Sequence, residues 1–425
     1  MSFEFSPQKL VYGGEALGYA EGRTVLVPRA LPGERIEVET VRLAKGVVHA
    51  RPLRILQSAA ERVSPPCPYF GRCGGCHYQH LAIEQQVRWK SEILRETLKR
   101  IGKIRWPGDI IVHQSSPWNY RNQAQLKMEE SESGEVELGF FEGESHRLVP
   151  IDECLILSPR LNQVLEQLRR REWAARLHGC REVELQADEQ DSQVRITFHG
   201  SPEAGDHESL AEDLIREFGG VVAVAFLDRG SAQLFGQGDF TYRVGEFGYQ
   251  ASPGVFFQSS RNLLAELLNA VTDVPGGELA VDLYAGVGLF TLPLARRFRQ
   301  AIGVESHPVA ARDLKANAAR YGLKNIRTVG QPTADFLRRF AQSRPDLVVL
   351  DPPRCGAGKS TLKYMVDLKP QRVHYVACHP PTWARDLSYL LSMDYRLEGV
   401  EMFDCFPHTY HIECLARLVR QDHAA

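Results

Sequence analysis

The sequence lacks long apolar runs. In its 425 residues, no apolar run approaches the length of roughly 20 residues that a membrane-spanning helix needs. The start, MSFEFSPQKL, also lacks the basic and apolar regions of a secretory signal. These absences predict a cytoplasmic protein without a membrane partner, which we expect to be a monomer. Its length predicts two or three domains.

An excess of charge of one sign is also missing. The net charge is −2, so the molecule is not a polycation, and a nucleic-acid partner would need a local basic face. Residues 81–127 can supply one, with nine Lys and Arg against four acids; a solvated helix face is the alternative. The nine are Arg88, Lys90, Arg95, Lys99, Arg100, Lys103, Arg105, Arg121 and Lys127.

Cysteine is sparse except at one place. The chain has nine cysteines, and in a cytoplasmic protein they are not expected to form structural disulfides. Three of them, Cys67, Cys73 and Cys76, crowd into the segment SPPCPYFGRCGGCHYQH with the spacing C-x₅-C-x₂-C. This spacing is typical of a thiolate-bound iron–sulfur cluster or of zinc. A fourth ligand has to come from elsewhere in the chain.

Composition and periodicity divide the chain into three predicted domains. Residues 1–58 contain short β-branched segments between Gly-rich turns, such as RIEVETVRLA, and predict a small closed barrel of the oligonucleotide-binding type. A β-rich unit without a ligand is the alternative. Residues 59–250 predict a mixed α+β central domain with the metal cluster. Within it, a helix at 81–101 is expected to pack on the catalytic domain.

Residues 251–425 show regular alternation of strands and helices. The strand candidates are LAVDLYA (279–285), AIGVE (301–305), IRTVG (326–330), DLVVLDPP (346–353) and RVHYVAC (372–378). Apolar strands linked by helices predict a parallel sheet covered on both faces, and thus a doubly wound, Rossmann-like α/β domain. Two further strands, YRLEGVEMFD and HIECLARLV, are expected to form a hairpin that adds an antiparallel edge.

The segment VDLYAGVG predicts a nucleoside site where the first strand of this domain meets its first helix. Ligands of doubly wound sheets bind beyond the carboxyl ends of the strands. Glu305 ends the second strand, 23 residues after Asp282, where an acid can accept hydrogen bonds from a ribose. The turn is not a full G-x-G-x-x-G, which favours S-adenosylmethionine, with its cationic end near Asp282, over a dinucleotide. The dinucleotide remains the alternative.

A second candidate site lies at the ends of two later strands. Cys378 ends RVHYVAC on the same sheet edge as Asp351, and a nearby guanidinium, that of Arg354 or Arg385, would favour its reactive thiolate form. A thiolate that adds to C6 of a pyrimidine makes C5 nucleophilic, and a base such as Glu413 can then remove the C5 proton. Cys355 is a rival nucleophile that spacing alone does not exclude. Inert core positions are the alternative for these side chains.

Five motifs occur in the order found in a known enzyme family: FFQSS, DLYAGVG, LDPPRCG, ACHPPTWARDL and FPHTYHIE. Over nearly its whole length the chain resembles the RNA uracil-C5-methyltransferases, class I methyltransferases that form 5-methyluridine in tRNA and 23S rRNA. The N-terminal stretch resembles their TRAM domain, an RNA-binding barrel, and CPYFGRCGGC resembles their iron–sulfur motif. The resemblance implies methyl transfer from S-adenosylmethionine to C5 of a uridine through a covalent cysteine–C6 adduct.

The resemblance also implies roles for individual residues. Cys378 would be the nucleophile and Glu413 the base, which separates Cys378 from its rival Cys355. Asp351 would hold the uracil edge. The residues implied to contact S-adenosylmethionine are Gln258, Tyr284, Glu305 and Asp351. Three positions depart from the family pattern, namely Leu289, His379 and Trp383.

For the cysteine-rich segment, the resemblance implies a [4Fe–4S] cluster. Cys154 matches the distant fourth cysteine of the family, so the implied ligands are Cys67, Cys73, Cys76 and Cys154. A structural zinc ion on the same four thiolates is the alternative. The spacing does not match that of radical enzymes that use S-adenosylmethionine.

The expected partner is RNA. Because many tRNA-directed relatives lack the barrel and the cysteine cluster, 23S rRNA is the predicted substrate, and tRNA is the alternative. Cytosine-C5 methylation and a non-catalytic RNA-binding module are further alternatives. Substitution of Cys378 separates the last of these from an enzyme, because an RNA-binding module has no use for that thiol.

Overall fold

The computed structural model describes residues 2–202, 206–228, 230–340 and 344–421. Within these ranges the strands form sheets of six, seven, two and eight members. In this part of the chain, none of the helices combines the length and the apolar character needed to cross a membrane.

The first sheet closes on itself. Its strands are β1 (Ser2–Phe5), β2 (Lys9–Leu10), β3 (Glu15–Ala20), β4 (Arg23–Pro28), β5 (Arg35–Ala44) and β6 (Val47–Gln57), in the order β1-β5-β6-β4-β3-β2. The strands β1 and β2 follow one another in one extended segment, yet β1 pairs with β5 and β2 pairs with β3. The two ends of the sheet are therefore joined, which makes it a small barrel with alternate apolar residues inside.

The helix α1 (Ile83–Arg100) follows the cysteine-rich segment and packs against the helix Pro380–Leu391. Its apolar positions recur at helical spacing and are buried, as with Leu94 and Leu98. The amine of Lys90 is completely buried and forms an ion pair with Asp404, with Nζ 2.6 Å from the carboxylate. This helix therefore belongs to the same packed core as the C-terminal sheet.

The next strand, β7 (Ile111–Gln114), is followed by the seven-stranded sheet. Its strands are β8 (Gln123–Glu130), β9 (Val136–Phe141), β10 (Leu148–Pro150), β11 (Cys180–Ala187), β12 (Val194–Gly200), β13 (Val221–Asp228) and β14 (Ser231–Gly236), in the order β10-β9-β8-β11-β12-β13-β14. The helices of this region are α2 (Pro159–Leu168), α3 (Arg171–Ala174) and α4 (His207–Glu217), and Ala175–Leu177 form a 3-10 turn. The two-stranded sheet consists of β15 (Tyr242–Val244) and β16 (Phe247–Tyr249).

The C-terminal sheet has eight strands, in the order β19-β18-β17-β20-β21-β23-β22-β7. Its elements beyond β7 are α5 (Leu264–Thr272), β17 (Gly277–Leu283), α6 (Thr291–Arg297), β18 (Phe298–Glu305), α7 (Pro308–Arg320), β19 (Ile326–Gly330), α8 (Thr333–Arg339), β20 (Leu347–Leu350), α9 (Lys359–Asp367), β21 (Arg372–Ala377), α10 (Pro380–Leu391), β22 (Tyr395–Asp404) and β23 (Glu413–Arg420). The five strands from β19 to β21 are parallel, and neighbours along β17 alternate between two cores: Val281 and Leu283 lie in one and Ala280 in the other. This confirms an α/β mixed sheet with both faces covered.

The predicted antiparallel hairpin forms but is not the edge of the sheet. The strand β23 pairs with β21, and β22 lies outside it. The short strand β7 then pairs in parallel with β22, from Ile111 opposite Glu401 to Gln114 opposite Asp404. Residues 59–250 therefore contribute both β7 and α1 to the C-terminal core. The boundaries of the three predicted domains and the monomeric state stay predictions.

Candidate active site

One large cavity lies at the carboxyl ends of the parallel strands. It has a volume of about 980 Å³. All six residues that the resemblance assigns to catalysis or cofactor binding line it, although they come from six separate stretches of the chain. They are Gln258, Tyr284, Glu305, Asp351, Cys378 and Glu413.

The glycine turn after β17 shapes the cofactor side of this cavity. Glu305 holds the turn, because one carboxylate oxygen accepts a hydrogen bond from the backbone N–H of Gly286 (2.9 Å) and the other from that of His307 (2.6 Å). Gly286 has a φ of 53°, and a Cβ there would meet no atom within 4 Å. Tyr284 also has a positive φ, 65°, and its hydroxyl donates to the carbonyl of Ala357 at 3.0 Å. A carboxylate keeps acceptor capacity after two such bonds, so Glu305 can also accept from hydroxyls.

Asp282 is not among the residues that line the cavity, and the expectation that a cationic ligand end lies near it stays a prediction. Its side chain is buried inside the domain and accepts a hydrogen bond from the hydroxyl of Thr291 at 2.5 Å. Burial raises the pKa of Asp282 to about 7. Because Asp282 lies within β17, one residue before its end, its side chain is directed toward α6 and ties that helix to the strand.

Cys378 and Glu413 meet at the end of two paired strands. In the antiparallel pair β21–β23, Ala377 lies opposite Cys414. Cys378 follows Ala377 and Glu413 precedes Cys414, so the pairing register brings the thiol and the carboxyl group to the same edge. Asp351, one residue after the neighbouring strand β20, lies at that edge too. The sheet thus collects side chains that are separated by up to 62 positions in the sequence.

Burial dominates the electrostatics of this edge. It raises the pKa of Glu413 to about 8, and the nearby Asp351 adds to the shift. Burial alone raises the pKa of Asp351 to about 7. The thiol of Cys378 has its pKa raised to about 11 by burial, with Glu413 and Asp351 adding to the shift. The thiol of Cys378 is therefore protonated at neutral pH in this environment.

The cation beside the thiol is Arg354, not Arg385. Arg354 lies next to Cys378 and lowers its pKa, but less than burial raises it. Arg385 instead forms an ion pair with Asp386, 2.7 Å away, and donates to the carbonyl of Cys355 at 3.1 Å. It therefore supports the DPPRCG loop and does not act on the thiol.

Three other cysteines lie near this edge, in environments less suited to a nucleophile than that of Cys378. Cys405 and Cys414 are buried, and burial holds the pKa of both far above the usual value. Cys355 is exposed on the DPPRCG loop, and its thiol contacts the carbonyl of Gly356. Of these cysteines in the described chain, Cys378 is the one that lines the large cavity.

The three departures from the family pattern have structural roles. Leu289 lines the cavity, and its carbonyl accepts from the hydroxyl of Tyr249 at 3.0 Å. His379 caps α10 by accepting from the backbone N–H of Thr382 at 3.3 Å. Trp383 is fully buried, and its indole N–H donates to the carbonyl of Tyr375 at 3.1 Å. None of them displaces a predicted reacting group.

Several cavity residues were missed by sequence reasoning. They are His77, Arg121, Phe256 and His411. Phe256 is 72% exposed although it is a large aromatic residue. Its place in the quoted motif FFQSS was a usable signal, whereas His77 and Arg121 belong to distant segments that only the fold brings here.

The four predicted cluster cysteines line a second, smaller cavity. Cys67, Cys73, Cys76 and Cys154 all contribute to its wall, and all four are free thiols. Burial raises the pKa of Cys73 to about 11 and that of Cys76 to about 12. Arg121 and Gly75 line both cavities, so the cysteine-rich segment also forms part of the large one.

The side chains do not form a ready-made coordination sphere. In the part of the chain that the structure describes, no three His, Cys, Asp or Glu residues form a group that could hold a metal ion. A tetrahedral zinc ion would require all four sulfur atoms at about 2.3 Å from one point. The iron–sulfur cluster and the zinc alternative therefore both stay predictions.

The basic run at 81–127 is not a single surface. Lys90 is buried in its ion pair with Asp404, and Arg95 donates to the carbonyls of Trp106 and Gly108 at 3.3 Å each. Lys127 pairs with Glu182. The exposed members are Arg88, Lys99, Arg100, Lys103 and Arg105. Five of the nine cations thus remain available to solvent in this run.

The doubly wound sheet has a glycine turn, carboxylates and a cysteine around one cavity. This combination is typical of a methyltransferase-like enzyme. Residues 82–421 match the profile of the tRNA (uracil-5-)-methyltransferase family. The match covers most of the chain, so the protein belongs to this family and is an RNA methyltransferase.

Relatives support the same assignment over the full length. An uncharacterized RNA methyltransferase of Halalkalibacterium halodurans is 31% identical, over 98% of this chain and 96% of its own. Another, of Gloeobacter violaceus, is 32% identical, over 97% and 95%. Among solved structures, the Pyrococcus abyssi tRNA (uracil-54, C5)-methyltransferase in complex with S-adenosyl-L-homocysteine aligns with a TM-score of 0.77 and 24% identity, over 98% of this chain and 100% of that one. This likeness establishes the fold.

Proposed function

We propose that the enzyme transfers a methyl group from S-adenosylmethionine to C5 of a uridine in 23S rRNA, through a covalent bond between Cys378 and C6 of the base. The observation that carries this proposal is the meeting of Cys378 and Glu413 at one end of β21 and β23, inside a cavity large enough for a nucleotide and a cofactor. The second candidate substrate is tRNA, favoured by the tRNA (uracil-54, C5)-methyltransferase that shares the fold.

The cofactor would lie over the glycine turn. Glu305 would accept hydrogen bonds from the ribose hydroxyls, because its carboxylate is already oriented by Gly286. Gln258, Tyr284 and Asp351 would complete the contacts, since they line the same cavity. When bound there, S-adenosylmethionine supplies an electrophilic methyl group.

The residues of the chain then perform the remaining chemistry. The thiol of Cys378 releases its proton to solvent, and the thiolate adds to C6 of the uracil, which moves an electron pair to C5. Once C5 carries the methyl group, Glu413 removes the C5 proton. The electron pair of that C–H bond restores the C5–C6 double bond, and the thiolate leaves. Glu413 has to be ionised to act, and its pKa of about 8 makes it a stronger base than an exposed carboxylate.

Arg354 and Asp351 are suited to hold the uracil. Arg354 lies beside the thiol, so it can stabilise the thiolate as it forms and the oxygen-centred charge of the adduct. Asp351, with a pKa of about 7, can accept or donate a hydrogen bond at the imide edge. Both functions require a base that has left its stack, as is usual for enzymes that modify a base.

RNA docking would use the N-terminal barrel, which we propose to be a TRAM domain at residues 1–58. Its closed six-stranded architecture supports this assignment. The central domain, residues 59–250, and the catalytic domain, residues 251–425, would form the two walls of the cavity. Exposed cations on α1 and directly after it would contact RNA phosphates, so the affinity for RNA should fall as the salt concentration rises. They are Arg88, Lys99, Arg100, Lys103 and Arg105.

The cysteine cavity would hold a [4Fe–4S] cluster. Cys67, Cys73, Cys76 and Cys154 provide four thiols on one cavity wall, which fits a cluster in which each thiolate binds a different iron atom. The cluster would have a structural role. It would fix the segment that includes Gly75 and His77, which line the large cavity.

Mapping of 5-methyluridine tests the proposal. RNA from cells with and without the protein should differ at one or more uridines of 23S rRNA when digests are analysed by mass spectrometry. A difference confined to tRNA would select the second candidate. A difference at cytosine, or none at all, would contradict uridine C5 methylation.

A further inference from the structure

The turn between β2 and β3 lies against the catalytic edge of the C-terminal sheet. Within this turn, the hydroxyl of Tyr12 donates a hydrogen bond to the backbone carbonyl of Cys378, with 3.3 Å between the oxygens and 366 positions between the residues. The Tyr12 ring also packs edge-on against His379, with centroids 5.1 Å apart, and against Tyr410 at 5.3 Å. A barrel residue thus contacts the peptide that follows the thiol and the loop that precedes Glu413.

Glycine at position 14 allows the turn to approach so closely. Gly14 has a φ of +89°, and a Cβ there would lie 3.1 Å from the Cβ of His77 and 3.2 Å from the ring of Tyr410. A larger residue would be strained by its backbone and would push the turn away. A second contact also holds the barrel in place, because Lys9 pairs with Glu96 of α1.

The carbonyl of Cys378 lies at the junction between β21 and α10. The helix begins at Pro380, which has no N–H, and its capping residue is His379. The peptide between Cys378 and His379 therefore precedes the regular hydrogen bonds of the helix. Its orientation determines where the Cα–Cβ bond of Cys378 points, and so where the sulfur lies. Tyr12 contacts this peptide on both sides, by its hydroxyl at the carbonyl and by its ring at His379.

We propose that Tyr12 is a positioning residue for the nucleophile, through which the docked N-terminal barrel sets the direction of the Cys378 thiol in the cavity. The inference rests on the proposed function of Cys378. Tyr12 does not line the cavity in the described structure, so it acts through Cys378 and His379 without touching the uracil. Burial raises the pKa of Tyr12, which keeps its hydroxyl protonated and able to donate.

The test compares full-length wild type with Tyr12→Phe and Tyr12→Ala. Turnover is measured on a 23S rRNA transcript, or on tRNA if mapping selects it, and the rate of covalent adduct formation is measured with the same RNA containing 5-fluorouridine. The lost hydroxyl of Tyr12→Phe should lower kcat and the adduct rate about threefold to tenfold, with KM for RNA nearly unchanged. Tyr12→Ala should lower both further, because the ring contacts are also lost.

Tyr364→Phe is the matched control. Tyr364 lies on α9, outside the barrel and not among the residues that line the cavity, so removal of its hydroxyl should leave both rates unchanged. An adduct rate in Tyr12→Phe equal to that of wild type would overturn the inference, as would a rise in KM at constant kcat, which would make Tyr12 an RNA contact. If Tyr12→Ala does not fold, Tyr12→Phe decides, because it keeps the ring. A wild-type protein that forms no adduct would instead overturn the proposed function itself.

Discussion

Glu413 faces Cys378 across the end of the antiparallel pair β21–β23, one position beyond the partners Ala377 and Cys414. This relationship couples the two groups, since the carboxyl group contributes to the raised pKa of the thiol. A proton can therefore be held on either group, and a negative charge on one disfavours it on the other. The arrangement keeps the thiol of Cys378 neutral although Arg354 lies beside it.

The first prediction concerns Cys378 itself. Cys378→Ala should abolish turnover and the covalent adduct with 5-fluorouridine RNA, while RNA affinity stays close to that of wild type. The reason is that 5-fluorouridine carries fluorine in place of the C5 hydrogen, so after methyl transfer the base has no C5 proton to remove and the thiolate is not eliminated. Denaturing gel electrophoresis of the protein–RNA adduct provides the measurement.

Cys355→Ala is the control for this experiment, because Cys355 is the exposed cysteine of the neighbouring DPPRCG loop. It should form the adduct as wild type does. Persistence of the adduct in Cys378→Ala together with its loss in Cys355→Ala would reassign the nucleophile.

The second prediction is a rise of kcat/KM with pH. Glu413 must be ionised to remove the C5 proton, and its pKa in the free enzyme is raised to about 8. The activity should therefore fall as the pH drops below about 8, and it should continue to rise above that value because the pKa of Cys378 is raised to about 11. Initial rates at subsaturating RNA, at constant ionic strength, give the profile. A flat profile between about pH 6 and 9 would contradict the assignment of the base.

The third prediction is that the same glutamate lowers stability at alkaline pH. Its pKa in the folded protein is about 8, above the ordinary value of 4.5, so the unfolded chain loses this proton first as the pH rises. Ionisation of Glu413 therefore favours unfolding progressively between about pH 4.5 and 8. Glu413→Gln removes this contribution. Its unfolding temperature relative to wild type should be higher at about pH 8 than at about pH 5.

Glu132→Gln, an exposed change, serves as the control and should show no such dependence. An identical difference between Glu413→Gln and wild type at both pH values would mean that Glu413 titrates normally. Its role as a tuned base would then be lost.

The alternation of strands and helices in the C-terminal domain could be predicted because each parallel strand is buried on both faces. The predicted segment 326–330 coincides with β19, and the hairpin strands were also identified. Short peripheral elements carry no such signal. The strand β7 has four residues, IVHQ, with none fully buried, so its place beside β22 could not be read from periodicity.

The same contrast between regular strands and peripheral segments applies to the residues of the candidate site. Those that follow a strand end, such as Asp351 and Cys378, could be predicted, because the edge of a parallel sheet collects them. The contact of Tyr12 with Cys378 could not be predicted, because it depends on how distant segments dock.

The fourth prediction concerns the ion pair that joins α1 to the C-terminal sheet. Lys90→Met leaves the buried carboxylate of Asp404 without its partner, and should lower the free energy of unfolding by about 3–5 kcal/mol. Chemical denaturation followed by circular dichroism measures this. Arg88→Met, exposed on the same helix, should change stability by less than about 0.5 kcal/mol.

The double variant Lys90→Met with Asp404→Leu sharpens the test. It removes both charges, so it should regain most of the lost stability. If it is no more stable than Lys90→Met alone, the cost comes from packing of the lysine side chain and not from the unpaired carboxylate.

The fifth prediction distinguishes a [4Fe–4S] cluster from a zinc ion at the four cysteines and tests what the bound metal does. Anaerobically purified protein should contain about four iron atoms per chain for a [4Fe–4S] cluster, and about one zinc atom for the alternative. Cys154→Ala should lose the metal and its absorption, because Cys154 lines the cysteine cavity, whereas Cys180→Ala, buried outside that cavity, should retain it. Retention of full metal content in Cys154→Ala would remove Cys154 from the ligand set.

Loss of the metal should raise KM for RNA more than it lowers kcat. The reason is that the cysteine-rich segment contributes Gly74, Gly75 and His77 to the cavity wall but none of the proposed reacting groups. A selective fall in kcat would instead assign the metal a part in the chemistry.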